Sequence, residues 1–331
     1  MSNDIPFIRT SERATFKRCP QKWYWAWRMG LKGKYRTADA LWFGTGIHLA
    51  LAEWYCGPGL RRGPHPADTW LDYCDDEEIQ VKAATGDDWR EDVWVDAKDL
   101  GVEMLEGYLQ TYKEDDTWHV IAPEQSFQLV IPKHSGAADL AIYAGTFDLV
   151  YRDLEDDTIW LGEHKTAKQI SLAHLPLDDQ AGSYWAVASK VLEDAGVLRK
   201  GDSIEGIMYN FLKKSVPDER PIDARGMRLN KNGAISKNQP KPNFVREPVE
   251  RTRAERHTMI RRIQDEAVWM NAARKRPDRL FKTPTSDCRW QCDFYDMCTL
   301  HEKGGDDWRE YAKAMYVQKD PYADHRKSAS E

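Results

Sequence analysis

The chain has 331 residues, 41% of them apolar, and a formal charge of −6, enough for one large folded unit or two moderate ones around a sizeable core. No apolar run approaches the roughly 20 residues that span a bilayer, and the first 22 residues lack the apolar stretch of a signal peptide, which argues against a membrane protein and predicts a globular chain in a cytoplasm. The net charge averages unlike parts: residues 199–282 hold 21 Lys and Arg against 11 Asp and Glu, a local +10 that leaves −16 for the remainder. Such a segment is either a basic track for phosphates or a solvated helix face.

In chain order, residues 11–29 read as a helix, with Ser11 as its cap and Phe16, Cys19, Trp23 and Trp27 at three- and four-residue spacing. A second helical pattern covers 37–55, and acidic or mixed helices fill 67–112. The period then changes. Stretches 124–132, 140–152 and 158–165 are rich in β-branched and aromatic residues between turn formers and read as strands. A helix at 177–195 and a strand at 203–212 complete a β-β-β-α-β order. The Pro-, Gly-, Asn- and Lys-rich stretch 214–248 reads as a long loop or hairpin extension, 250–273 as a basic helix, and 304–331 as a polar, partly disordered tail. The chain thus divides into a helical part (1–115), a core (116–215), a basic extension (216–248), a helix and cysteine segment (249–303) and the tail, with 1–303 forming one compact unit.

Asp148 closes Gly145-Thr-Phe-Asp148, and Glu163-His164-Lys165 closes the next strand. A polar turn at 154–157 centres the hairpin between 155 and 156, so cross-strand partners sum to 311. Asp148 then faces Glu163, and Lys165 shares that face because side chains alternate along a strand. Two adjacent carboxylates on a buried sheet repel unless a divalent cation lies between them, and oxygen donors suit Mg²⁺ or Mn²⁺. A bare Glu-x-Lys fits a surface hairpin equally well. Joined to Gly-x-x-Asp in matching register it points to phosphodiester hydrolysis, with Asp148 and Glu163 as ligands and Lys165 as catalytic base or charge stabiliser.

These residues, with Trp160-Leu-Gly-Glu163-His-Lys165-Thr166, resemble the core of PD-(D/E)XK nucleases of the RecB and AddB type, as does the β-β-β-α-β order. The resemblance implies an α/β, restriction-endonuclease-like core, a mixed β-sheet flanked by helices, with a helical N-terminal part and a C-terminal cysteine segment. Gln180-x-x-x-Tyr184 is similar to the Gln-x-x-x-Tyr motif of the same group and implies that both residues lie beside the active site and the DNA. By its neighbours Leu41, Leu51, Ala52 and Tyr55, His48 fits a core histidine. The resemblance of Phe43-Gly-Thr-Gly46-Ile-His48 to the family's upstream histidine implies a metal ligand instead, and it adds the backbone carbonyl of His164 to the ligand set. Glu124 matches a recurring family glutamate.

Cys288-x3-Cys292-x5-Cys298, with Cys19 in Arg18-Cys-Pro20, offers four thiolates for Zn²⁺ or an iron–sulfur cluster, against the alternative of unrelated thiols. The arrangement resembles the 4Fe–4S clasp of AddB and of the CRISPR-associated Cas four exonucleases. This chain places three residues rather than two between its first C-terminal pair, which keeps zinc as the alternative. Either group would close a loop of about 270 residues in a structural role. Cys56 and Cys74 read as ordinary helix residues. No Gly-x4-Gly-Lys-Ser/Thr phosphate loop is present, so the resemblance implies a stand-alone DNA exonuclease acting on single strands or ends. Recombination, repair or CRISPR-type processing, and their protein partners, are compatible with it. Lys168, Lys213, Lys214 and Tyr184 are candidate DNA contacts. The rival readings are a docking or DNA-binding subunit with little catalysis and a structural zinc protein.

Overall fold

Alternating β-branched and aromatic residues from Trp118 onward build five strands of a mixed six-stranded sheet, the sixth coming from residues 7–8, in the computed structural model, which describes residues 5–34, 36–56 and 59–323. Ahead of it come β1 (Phe7–Ile8), α1 (Thr10–Arg18), α2 (Pro20–Trp23), β2 (Leu31–Gly33), α3 (Ala40–Trp54), α4 (Pro66–Thr85) and α5 (Glu91–Tyr112). The sheet strands β3 (Trp118–Pro132), β4 (Asp139–Asp153) and β5 (Thr158–Ala167) are followed by α6 (Asp179–Asp194), β6 (Ile204–Lys213), β7 (Phe244–Glu250) and α7 (Arg253–Lys275). Short α8 (Cys288–Gln291), α9 (Tyr295–Glu302), α10 (Asp307–Met315) and β8 (Tyr316–Gln318) complete it. No described helix is long and apolar enough to cross a membrane.

The strand order is β1-β4-β5-β6-β7, with β3 also on β4; β1–β4 and β5–β6 are parallel and the other pairs antiparallel. Helices cover both faces. On one, Trp23, Phe127, Tyr143, Trp185, Tyr209 and Met270 pack with α1, α6 and α7; on the other, Trp42, Trp70, Trp94, Tyr108 and Trp160 pack with α3, α4 and α5. The restriction-endonuclease-like core expected from the sequence is therefore present.

Several boundaries differ from the sequence reading. The helix expected over 11–29 begins at Thr10 behind Arg9 rather than at a Ser11 cap, and Cys19 interrupts it with an extended backbone (φ −161°, ψ 107°). Pro20 starts the short α2, and Tyr24–Arg28 continue as a wider π-turn. Proline has no N–H to donate to the preceding turn, so the chain restarts there. The extension is not all loop, because β7 adds an edge strand to β6. The expected disordered tail folds through residue 323: α10 packs near Trp25, and β8 pairs antiparallel with β2. Residues 324–331 lie outside the described residues.

Candidate metal centre

Asp148 sits where the sheet forks. The β4–β5 ladder keeps the sum of 311 from Asp153↔Thr158 to Leu149↔Gly162 and ends there. At the next step Asp148 Oδ2 accepts the backbone N–H of His164 at 2.8 Å, so a carboxylate takes the place of a ladder carbonyl. The pleat reverses at the same point. Ala141, Tyr143 and Phe147 face the α6–α7 side, yet beyond Asp148 it is Val150 that does, while Leu149 and Tyr151 turn to the α3–α5 side. On β3, Glu124 falls between Pro123↔Leu149 and Gln125↔Phe147, across from Asp148, with a positive φ of 41°. A non-glycine residue held there is strained, and such strain collects at functional sites.

The third arm is α3. Asp39 caps it, accepting from the N–H groups of Leu41 and Trp42 at 2.9 Å. A Cβ on Gly46 would stand 2.5 Å from Trp70 and Tyr73, so glycine lets α4 close on α3 and fixes the pose of His48. His48 Nδ1 lies 3.5 Å from Asp148 Oδ2 and 4.0 Å from Glu124 Oε1. The ligand atoms of His48, Glu124 and Asp148 all fall within 4.8 Å of one another. The structure thus brings His48 out of its core-histidine alternative and gives Glu124 a closer place than the sequence suggested.

Glu163, 4% exposed, lies beside this group but outside the set of ligand atoms within 4.8 Å of one another. Its Oε1 accepts from Lys165 Nζ at 2.6 Å and from Gln180 Nε2 at 3.2 Å, so Lys165 does share its face and the start of α6 reaches it. Burial pushes the Glu163 carboxyl up, Lys165 opposes this and Asp148 adds to it, for a value of about 7. Burial and the Asp148 charge likewise carry Glu124 to about 7. His48 is drawn down by burial but lifted to about 9 by Asp148, then by Glu124 and Glu163. Burial would raise Asp148, but the His48 charge and hydrogen bond and the His164 N–H hold it below the ordinary carboxylate range. Lys165 resists burial and is raised by Glu163, so its amine stays protonated. Two carboxyls and an imidazole that retain protons for want of positive charge, beside an ionised Asp148, are a donor set suited to a divalent cation, which would displace those protons.

The remaining candidates are placed as follows. Tyr184 meets Phe127 and Phe147 edge-on at 5.6 and 5.9 Å, and a Cβ on Gly145 would stand 2.8 Å from its ring, so the glycine of Gly-x-x-Asp makes room for the tyrosine of Gln-x-x-x-Tyr. Lys214 lies over the Phe43 ring at 4.6 Å, near Ala40 O at 3.4 Å. Burial and the charge of exposed Lys168 lower its pKa. Lys213 ends β6 with its backbone N–H on Asn243 O.

All six cysteines are free thiols. Cys19 Sγ accepts from Lys22 N–H at 3.5 Å, and Cys288 Sγ from Thr285 N–H at 3.3 Å; the Thr285 contacts lower the Cys288 pKa. Burial raises Cys292 and Cys298, and each also feels the Cys19 sulfur. Cys292 and Cys298 pack beside Trp25, Phe294 and Met297, but among the described residues the cysteine sulfurs do not form a group close enough to share a metal ion. The side chain of His164, on the face opposite Glu163, leads into buried Asn210 and Tyr108 and on to partly buried Arg246. Sequence reasoning missed these residues because they are scattered over two strands and a helix with no shared motif.

The family model described as PD-(D/E)XK nuclease superfamily matches residues 10–299. No curated protein matches the sequence.

Proposed function

Since the chain belongs to the PD-(D/E)XK nuclease superfamily, we propose that it is a divalent-metal-dependent deoxyribonuclease, an exonuclease that prefers single-stranded DNA or DNA ends. The observation that carries this is the convergence of His48, Glu124 and Asp148 within 4.8 Å at the sheet fork, with the Glu163–Lys165 pair alongside at 2.6 Å. Asp148, Glu163, His48 and the His164 carbonyl would hold Mg²⁺ or Mn²⁺, with Glu124 as an added donor. When bound, the cation lowers the pKa of a water and neutralises charge developing on the scissile phosphate. Lys165, kept protonated by Glu163, stabilises charge or orients the attacking water rather than serving as the base. Gln180 holds Glu163, Tyr184 supports α6 against β4, and Lys168, Lys213 and Lys214 receive phosphates.

Cys19, Cys288, Cys292 and Cys298 would carry a 4Fe–4S cluster, with zinc as the alternative. The N–H donors already on Cys19 and Cys288 suit thiolate ligands. Recombination, repair or CRISPR-type processing are the settings that fit such an enzyme and its protein partners.

The test is cleavage of end-labelled single-stranded DNA by anaerobically purified protein with Mg²⁺ or Mn²⁺, beside Glu163→Ala and Lys165→Ala. Wild type should cut, and each variant should lose at least about 100-fold. Wild type that binds DNA but never cuts would replace the enzyme with a docking subunit. Iron and acid-labile sulfide analysis decides the cysteine site: both should be present in wild type and fall in Cys19→Ala, whereas zinc without sulfide would overturn the cluster.

A further inference from the structure

The strand that supplies Glu163 and Lys165 also carries a fully enclosed histidine whose ring points away from both. His164 is 2% exposed and lies among the aromatic residues of the α3–α5 side. A polar ring there is costly where a nitrogen goes unengaged, and among the described residues His164 Nε2 has no hydrogen-bond partner, which leaves Nδ1 to hold the ring. Its Nδ1 lies 2.8 Å from Asn210 Nδ2, and Asn210 is its neighbour in the parallel β5–β6 register. The Asn210 amide also donates to the Tyr108 hydroxyl at 2.9 Å. Tyr108 meets Tyr55 OH and Arg246 Nη2, each at 2.8 Å, and Arg246 grips Asp115 through two bonds of 2.6 and 2.7 Å. The guanidinium is packed between the rings of Tyr112 and Trp118, 3.6 and 3.9 Å from their centroids.

This chain of contacts reaches every element that delivers a residue to the metal centre. Tyr55 caps the end of α3, which carries His48. Asp115 and Trp118 stand at the entry to β3, which carries Glu124. His164 itself stacks on Tyr55 at 6.0 Å and 13° and meets His48 edge-on at 5.9 Å, while its backbone N–H holds Asp148. Ring and backbone belong to one residue, so what fixes the ring fixes the donor to Asp148.

We propose that Asn210 and Tyr108, acting through His164, are positioning residues of the metal centre, which rests on the reading that this centre binds a divalent cation. They touch neither cation nor substrate. They set where the His164 peptide stands relative to Asp148 and His48, and so how well the donor set is shaped before the ion arrives.

Tyr108→Phe removes one hydroxyl and Asn210→Leu one amide. Ile263→Val, in the α7 core and away from this network, is the control for mild destabilisation. Mn²⁺ binding is read on the full-length protein from depletion of the free-ion electron paramagnetic resonance signal, beside the melting temperature of the cation-free protein. Both network variants should bind Mn²⁺ about tenfold or more weakly, whereas Ile263→Val should lower the melting temperature and leave the Mn²⁺ constant unchanged. If the variants bind Mn²⁺ within about twofold of wild type, far short of that loss, the positioning role is wrong although the metal centre stands. Wild type that takes up no Mn²⁺ overturns the metal centre and this role with it.

Discussion

Three ionisable side chains at the fork hold protons at a pH where isolated groups would have released them. Glu124 and Glu163 rise from 4.5 to about 7, and His48 from 6.5 to about 9. A folded-state pKa above the unfolded one contributes stability at low pH that is lost as pH rises through the folded value. The cation-free protein should therefore lose stability from these groups between about pH 4.5 and 9. A divalent ion competes with the same protons, so binding tightens as pH rises and releases protons. Thermal denaturation with and without Mn²⁺ should show a larger stabilising shift above about pH 8 than below about pH 6. Equal shifts across that range would mean that the ion does not displace these protons. The count from the β4–β5 turn holds as far as Leu149↔Gly162, but the expected Asp148–Glu163 pair is not formed, because the ladder ends there and Asp148 accepts from the His164 N–H instead. Glu124 could not be reached by such a count, since a register shift between Ile131 and Pro132 displaces any count begun at the β3–β4 turn.

At the scale of elements, the glycine of Gly145-Thr-Phe-Asp148, inside β4, is set by packing. Phe127 and Tyr184 occupy the space a Cβ would need, at 2.9 and 2.8 Å. Both are rings anchored in the core, so neither can yield cheaply. Gly145→Ala should cost about 1–3 kcal/mol in urea denaturation and lower activity by shifting α6, which carries Gln180. Unchanged stability would show that the β4–α6 contact is slack. The long strands and helices were legible because their periods are sustained. Two strands of the main sheet and the short β2–β8 pair were not: β1 pairs over only Phe7 and Ile8, β2 and β8 have three residues each, and β7 contains Pro248 and follows a run of Asn, Lys and Pro. As an edge strand it tolerates that proline, but no alternation advertises it. The break at Cys19 was hidden because apolar spacing continues across it from Phe16 to Trp23, whose rings meet edge-on at 5.0 Å.

At the scale of the whole molecule, sequence-distant segments are bound to each other. Arg9 reaches Pro321 O across 312 residues, and Gln318 reaches Met29 O across 289. Trp25 gathers Phe294, His301 and Trp308 around it, and Cys292 and Cys298 pack against this cluster. Removing residues from 304 onward would strip Trp308, Ala312 and Tyr316 from the cluster and leave β2 unpaired. Limited proteolysis should then cut near residues 28–34 far faster than in the full chain. A truncated chain as resistant as wild type would show that this closure is dispensable.

The pairing of β2 with β8 also bears on how the protein is made. The helix carrying His48 and the hairpin carrying Asp148 and Glu163 are synthesised long before Tyr316, and can assemble while translation continues. The segment around Cys19 and Trp25 cannot, because its partners do not yet exist. A ribosome that stops short of β8 would release a chain with its carboxylates in place and a large aromatic surface bare, the kind of surface that chaperones and proteases act on.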